Sequence, residues 1–205
     1  MRLFRPVGLG ELALIWDSGL HDFPPRLPHQ PIFYPVADVE YARQIAREWN
    51  TKESSFAGYV TEFEIADSYI SAFERHIVGA AHHAEFWIPA EELSNFNHAI
   101  QEFIRVVEGY FGTDFKGWIP EQFGIRGNDA VSQFVTLTQV WEYNRVDFAR
   151  EVTLNRKAVF LNFLFWKQFD FMEHGVDQQR KTETLRKLAE AWTFTPCELP
   201  VPGIT

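Results

Sequence analysis

Hydrophobic residues in the first half of the chain recur at the two-residue period of β-strands in several short segments. The clearest is residues 58–65, where positions of one parity are mainly apolar and the others include Glu62 and Glu64. Four shorter segments share this character: residues 3–7, 32–34, 74–78 and 83–88. We expect the last two of these to pair with each other as neighbouring strands.

Other segments of the first half have the spacing of helices. Residues 10–18 predict the first helix, with Gly19 as its stop. Asp38 is placed to cap the N-terminus of the second, which should end near Asn50. One stripe of this helix is formed by residues four apart: Tyr41, Ile45 and Trp49. Pro89 opens a long third helix, whose apolar positions are Leu93, Phe96, Ile100, Phe103, Ile104 and Val107.

The second half of the chain shows mainly helical spacing. Three segments predict helices there: residues 129–151, 154–174 and 177–192. The glycine-rich, aromatic stretch at residues 109–127 is the best candidate for a boundary. We therefore expect an α+β unit at residues 1–112, followed by a helical extension at residues 113–205.

Composition narrows the class of protein. A chain of 205 residues with 46% hydrophobic residues can build a packed core, and its single cysteine, Cys197, excludes an internal disulfide framework. Of the 28 acidic residues 16 lie in residues 1–112, together with only 8 of the 19 basic ones, which argues against nucleic acid as a partner. Neither a secretory signal nor a membrane span is expected, and a cytoplasmic location fits these features.

Glu85 is the most unusual residue of the first half. It lies in a strand-like run, residues 82–89, beside Phe86 and Trp87. Burying a carboxylate there is costly unless a partner, a hydrogen bond or a ligand satisfies it. Glu85 is therefore either a residue at a strand edge that faces water or part of a functional site.

Five strings within residues 2–105 carry a resemblance to a known family: residues 4–8, 23–28, 30–35, 49–50 and 85–93. They resemble a small bacterial family labelled "ADP-ribosylation/crystallin J1". The label suggests two different relationships. The first is to the all-helical ADP-ribosylglycohydrolases, whose paired aspartates around magnesium have no counterpart in this first half. The second is to the ADP-ribosyltransferase fold, a compact split β-sandwich that binds NAD.

The transferase resemblance implies a role for four residues. Glu85 would be the catalytic carboxylate, which stabilises the oxocarbenium-like centre formed when the nicotinamide–ribose bond breaks. Arg5 would bind phosphate or ribose oxygens, Tyr34 would face the nicotinamide, and Arg26 would be a further phosphate ligand. The acceptor of ADP-ribose is not indicated. No Glu-x-Glu motif precedes Glu85, and the Ser-Thr-Ser strand of one branch of the superfamily is absent.

Each of these residues has a simpler interpretation. Arg5 would pair with an acidic neighbour such as Glu62 or Glu64, Tyr34 would be a core or half-buried aromatic, and Arg26 would cap carbonyls within its proline-rich loop. His83 shares a strand face with Glu85, with His82 opposite, but no metal-binding spacing supports a site with His76 or His98. We expect no metal.

The helical extension suggests a different class of function. Its second predicted helix carries more aromatic residues than one buried stripe requires: Phe160, Phe163, Phe165, Trp166, Phe169 and Phe171. The alternative to an enzyme is thus a non-catalytic interaction or scaffold protein. These helices would then contact a second copy of the chain or another protein.

Overall fold

The computed structural model describes residues 1–79, 83–193 and 200–203. The chain divides into two compact units, Met1–Thr113 and Asp114–Thr205, one residue beyond the predicted boundary. Strands and helices both occur in the first unit and helices dominate the second, so the predicted α+β fold is confirmed. The predictions that concern His82, Cys197 and most of the irregular tail fall outside the described residues.

The elements of the first unit are, in chain order, β1 Arg2–Val7, α1 Leu9–Asp17, β2 Ile32–Phe33, α2 Val39–Glu48, β3 Ala57–Glu64, α3 Asp67–Ile70, β4 Arg75–Ile77, β5 Ala84–Phe86, β6 Ile88–Pro89, α4 Leu93–His98 and β7 Arg105–Phe111. The five predicted strands and the first two predicted helices are all present. Gly19 follows α1 with a positive φ of 73°, the conformation expected of a glycine that ends a helix.

The sheet is centred on β3, which pairs antiparallel with β1 on one side and β7 on the other. At the outer edge of β1, Phe4 N donates to Val36 O at 2.9 Å and Val36 N donates to Phe4 O at 2.8 Å. Val36 also bridges Glu85 on β5, which pairs with β4. Within the described residues, the rest of β1 from Arg5 to Val7 pairs only with β3. The outer edge of β1 is therefore free beyond Phe4.

Helix α2 lies on one face of this sheet, with Tyr41, Ala42 and Ala46 buried against Phe4 and Val60. Its backbone approaches β3 closely at one point. A Cβ atom built on Gly58 would lie 2.0 Å from the carbonyl oxygen of Ala46, so the contact requires a residue without a side chain. The other face packs on an aromatic cluster of Phe23, Phe33, Phe63 and Phe96.

The long helix predicted from Pro89 is wrong. A 3₁₀ turn, Ala90–Glu92, leads into the short α4, and the chain then extends into β7. Gln101 N donates to Glu64 O, and Ile104 N donates to Leu20 O, so backbone pairing with distant segments replaces the helical hydrogen bonds. Ile104 and Val106 are buried at the two-residue spacing of a strand, which the helical spacing of the longer segment concealed.

The second unit contains α5 Ala130–Tyr143, α6 Arg145–Leu154, α7 Arg156–Gln168 and α8 Gln178–Thr193. The helix predicted at residues 129–151 is broken at Asn144, which has extended backbone angles and whose side chain caps α6. The helix predicted at residues 154–174 ends at Gln168, since Phe169 is extended and only a 3₁₀ turn follows. The last predicted helix is confirmed. None of the described helices has the length and apolar character needed to cross a membrane.

The aromatic residues of α7 are buried in the second unit. The indole N–H of Trp166 donates to Ala130 O at 2.7 Å, and its ring packs on Phe134. Phe165 packs on Phe115, and Phe160 on Trp192. The interaction hypothesis rested on six aromatic side chains, of which five are buried within this unit and Phe169 is partly buried.

A buried carboxylate ties the loop before α5 to α6. Glu151, only 2% exposed, accepts a hydrogen bond from Gly124 N at 2.7 Å and one from the Asn155 amide at 3.1 Å. Burial raises the pKa of Glu151, although hydrogen bonds from backbone N–H groups of Gly124 and Ile125 oppose the increase.

Asp38 caps α2 as predicted, because its carboxylate accepts from Glu40 N at 2.8 Å and from Tyr41 N at 3.1 Å. Asp38→Ala should lower the free energy of unfolding by about 1 kcal/mol, since both N–H groups lose their partner. Urea denaturation of Asp38→Ala and of the control Asp38→Asn, which keeps an acceptor oxygen, measures the effect. An alanine variant as stable as the wild type would contradict it.

The raised pKa of Glu151 predicts a pH dependence of stability. The folded state binds this proton more tightly than the unfolded chain, so stability is lost as the pH rises from 4.5 through the folded pKa. Glu151→Gln keeps an acceptor oxygen but does not ionise, so the wild type should lose stability relative to this variant towards neutral pH. Urea denaturation across pH tests this, with the exposed Glu121→Gln as control. Parallel stability curves for wild type and Glu151→Gln would rule it out.

Candidate functional site

A cavity of about 480 Å³ opens in the first unit where the pairing of β1 with Val36 ends. All four residues singled out from the sequence line it: Arg5, Arg26, Tyr34 and Glu85. They come from β1, β5 and the segment between α1 and α2, so the fold brings together side chains up to 80 positions apart in the sequence. A cavity of this size is within the range that binds small molecules.

Glu85 is an interior residue of the extended sheet. It is 9% exposed and lies between Val36 and His76, its backbone partners on either side. This position excludes the interpretation of Glu85 as a strand edge that faces water. The indole N–H of Trp87 donates to its Oε1 at 2.9 Å, which satisfies one oxygen and orients the carboxylate within the cavity wall.

Trp87 is itself held from two sides. The His76 ring stacks on it at 4.2 Å between centroids, and the Tyr34 ring meets it edge-on at 6.1 Å. Trp87 is 43% exposed and Tyr34 is 36% exposed, so both present aromatic surface at the mouth of the cavity. Tyr34 is thus a surface aromatic beside Glu85 rather than a core residue.

Arg5 is fixed by an acidic partner and a backbone carbonyl. Its Nη1 donates to Tyr34 O at 3.1 Å, and its Nε and Nη2 both lie 3.4 Å from Glu11 Oε1. The expected pairing with Glu62 or Glu64 is wrong, because these carboxylates lie near Arg2. Side chains alternate along β1, so Arg2 shares a face with its cross-strand neighbour Glu64 and Arg5 points to the opposite face.

Arg26 supplies a second guanidinium to the same place. Arg5 and Arg26 both lie over the ring of Phe33, at 4.9 and 6.0 Å from its centroid. Burial lowers the pKa of Arg26, and the positive charge of Arg5 lowers it further. In the described part of the chain the Nε of Arg26 is buried without a hydrogen-bond partner, so the expected role of Arg26 in capping loop carbonyls does not account for it.

The pair of guanidiniums is suited to an anion. Two like charges near one ring repel each other, and Glu11 is the acidic side chain that bonds one of them. A phosphate or pyrophosphate between Arg5 and Arg26 would offset this repulsion and accept the unused N–H groups.

Sequence reasoning missed the opposite wall of the cavity. It consists of Tyr41, Ile45, Trp49, Asn50 and Glu53. The four-residue spacing of the first three was visible in the sequence but was interpreted only as the buried stripe of a helix. Burial raises the pKa of Tyr41, and the charge of the Glu85 carboxylate adds to the effect, so the Tyr41 end of this wall lies towards Glu85.

Searches among protein-family models, curated proteins and solved structures find no match to this chain. Within the described ranges, no group of three or more His, Cys, Asp or Glu side chains is arranged to hold a metal ion.

The influence of Glu85 on Tyr41 can be measured. Glu85→Gln removes the negative charge, so the pKa of Tyr41 should fall, while burial keeps it above the ordinary value of 10. Nuclear magnetic resonance titration of ¹³C-labelled tyrosine follows this shift. Glu53→Gln removes a charge from another part of the cavity and serves as the control. An unchanged Tyr41 pKa in Glu85→Gln would show that the two side chains are not close in solution.

Proposed function

We propose that this protein binds NAD, cleaves its nicotinamide–ribose bond and transfers ADP-ribose to an acceptor, as the ADP-ribosyltransferase resemblance implies. The observation that carries the proposal is the convergence of Glu85, Arg5, Tyr34 and Arg26 on one cavity. The resemblance gives these four residues complementary roles towards one substrate. Their common location supports a single dinucleotide site.

The distribution of charge along the cavity supports this reaction. When the bond between ribose and nicotinamide breaks, its electron pair passes to the ring nitrogen, and positive charge develops on the ribose. The Glu85 carboxylate, oriented by Trp87, would stabilise that charge and accept a hydrogen bond from a ribose hydroxyl. The acceptor nucleophile then forms the new bond to ribose and releases its proton to solvent.

The remaining predicted residues hold the substrate. Arg5 and Arg26, which both lie over the ring of Phe33, would bind the pyrophosphate. The exposed rings of Tyr34 and Trp87 flank Glu85 and offer surface for the nicotinamide. The partly buried setting strengthens these electrostatic interactions relative to water.

Glu85→Gln tests the catalytic assignment. The amide has the shape of the carboxylate and still accepts from Trp87, but it has no negative charge to stabilise the ribose centre. Release of nicotinamide from NAD, measured by chromatography, should fall roughly 10²–10³-fold while NAD binding persists.

The matched control is Glu91→Gln, which neutralises an exposed carboxylate outside the cavity and should leave the rate unchanged. Equal rates of nicotinamide release in wild type and Glu85→Gln would refute the role of Glu85.

A further inference from the structure

The cavity has a second end that the proposed reaction does not use. Tyr41, Ile45 and Trp49 line one wall, and the helical rise of 1.5 Å per residue separates Tyr41 from Trp49 by about 12 Å. Glu85 lies at the Tyr41 end, because its backbone partner Val36 packs in the same buried cluster as Tyr41. Along the other wall β1 supplies Arg5 and then Pro6, with Gly8 just beyond the strand. The cavity is thus an elongated groove with Trp49 at the far end.

Asn50 is a buried polar residue at this far end. It is 8% exposed and its side chain lines the cavity. A polar side chain in the wall of a cavity fixes the orientation of the ligand that binds there. An asparagine amide presents a donor and an acceptor side by side. Its position calls for a ligand with the complementary pair.

Trp49 provides an aromatic surface next to this amide. It is 55% exposed although it is a large apolar side chain, and it also lines the cavity. The carboxylate of Glu53 lies at the same end, which makes this end unfavourable for a phosphate. A flat, uncharged group with a polar edge fits these three residues better than any anion.

We propose that Trp49 and Asn50 form a purine subsite that binds the adenine of the dinucleotide. Adenine carries a donor and an acceptor on adjacent positions, which an asparagine amide pairs in bidentate fashion, and its ring stacks on an aromatic side chain. The arrangement along the groove is then carboxylate, paired guanidiniums, and aromatic ring with amide. This matches the nicotinamide riboside, pyrophosphate and adenosine of NAD, so the inference rests on the proposed function and assigns its second nucleoside.

Two nucleotides that differ in their base test the subsite. Adenosine monophosphate carries adenine, and nicotinamide mononucleotide carries nicotinamide on the same ribose phosphate. Titration calorimetry with the full-length protein measures both affinities. Asn50→Asp keeps the shape of the side chain and removes its donor, so affinity for adenosine monophosphate should fall roughly tenfold or more, since that is the size of a lost bidentate base contact. Affinity for nicotinamide mononucleotide should change less than threefold.

Control variants separate the base contact from charge and folding. Asn95→Asp introduces the same charge on α4, outside the cavity, and should alter neither affinity. Trp49→Ala removes the stacking surface from an exposed position, whereas Trp49→Phe retains a ring. The alanine variant should lose adenosine monophosphate selectively, and the phenylalanine variant should retain most of it.

The outcomes distinguish this subsite from the proposed reaction. Selective loss of adenosine monophosphate in Asn50→Asp and Trp49→Ala supports the subsite, even if nicotinamide release proves independent of Glu85. If Glu85-dependent cleavage of NAD is observed but both nucleotides weaken equally, or neither weakens, the subsite is overturned and the reaction stands. Failure of the wild type to bind adenosine monophosphate overturns it as well.

Discussion

Two backbone hydrogen bonds between Phe4 and Val36 determine the architecture of the first unit. They extend the sheet outward from β1, and the bridge from Val36 to Glu85 then attaches β5 and β4. Only Phe4 of β1 pairs with Val36, so the two parts of the sheet separate immediately beyond this residue. Glu85 lies on one side of the resulting gap and Arg5 on the other. A carboxylate from the middle of the chain and a guanidinium from its beginning thus face the same space, because strand pairing stops there.

The electrostatic character of the cavity follows from this opening. Arg5 is held by Glu11 and Tyr34 O, while Arg26 reaches the same aromatic ring from the proline-rich loop. The mutual repulsion of the two guanidiniums and the unpaired Nε of Arg26 both destabilise the folded protein. Ligand-binding sites commonly contain such destabilising groups, since the ligand supplies the missing partner.

Local pattern was sufficient for much of this fold. The alternation around β3 and the cap at Asp38 depend on neighbours in the sequence, and both were predicted correctly. The helix predicted after Pro89 was wrong because the backbone hydrogen bonds of this segment go to Glu64 and Leu20, which no local pattern reveals. The break at Asn144 was missed for a different reason: an asparagine within an amphipathic run can cap a new helix as readily as continue the old one.

The site was predictable only in part. The resemblance named residues with distinctive chemistry, and these do meet in one cavity. It did not indicate the hydrogen bond from Trp87 to Glu85. It also did not indicate that Arg5 would pair with Glu11 while Glu62 lies beside Arg2. Those depend on strand register and side-chain direction. Tyr41 belonged to a helical stripe and Asn50 to a string that carries the resemblance, but neither received a role, because such features are ordinary until the groove beside them is known.

The contact between Gly58 and Ala46 has a consequence for the width of that groove. Helix α2 forms one wall, and its distance from the sheet is limited by main-chain atoms rather than by side chains that could repack. Even one added methyl group at Gly58 would push the helix away from β3 and carry Tyr41, Ile45 and Trp49 with it. The spacing between the walls is therefore controlled from outside the cavity, by a residue that does not line it. Sequence change at this distant position would alter which molecules fit, while every lining residue remained the same.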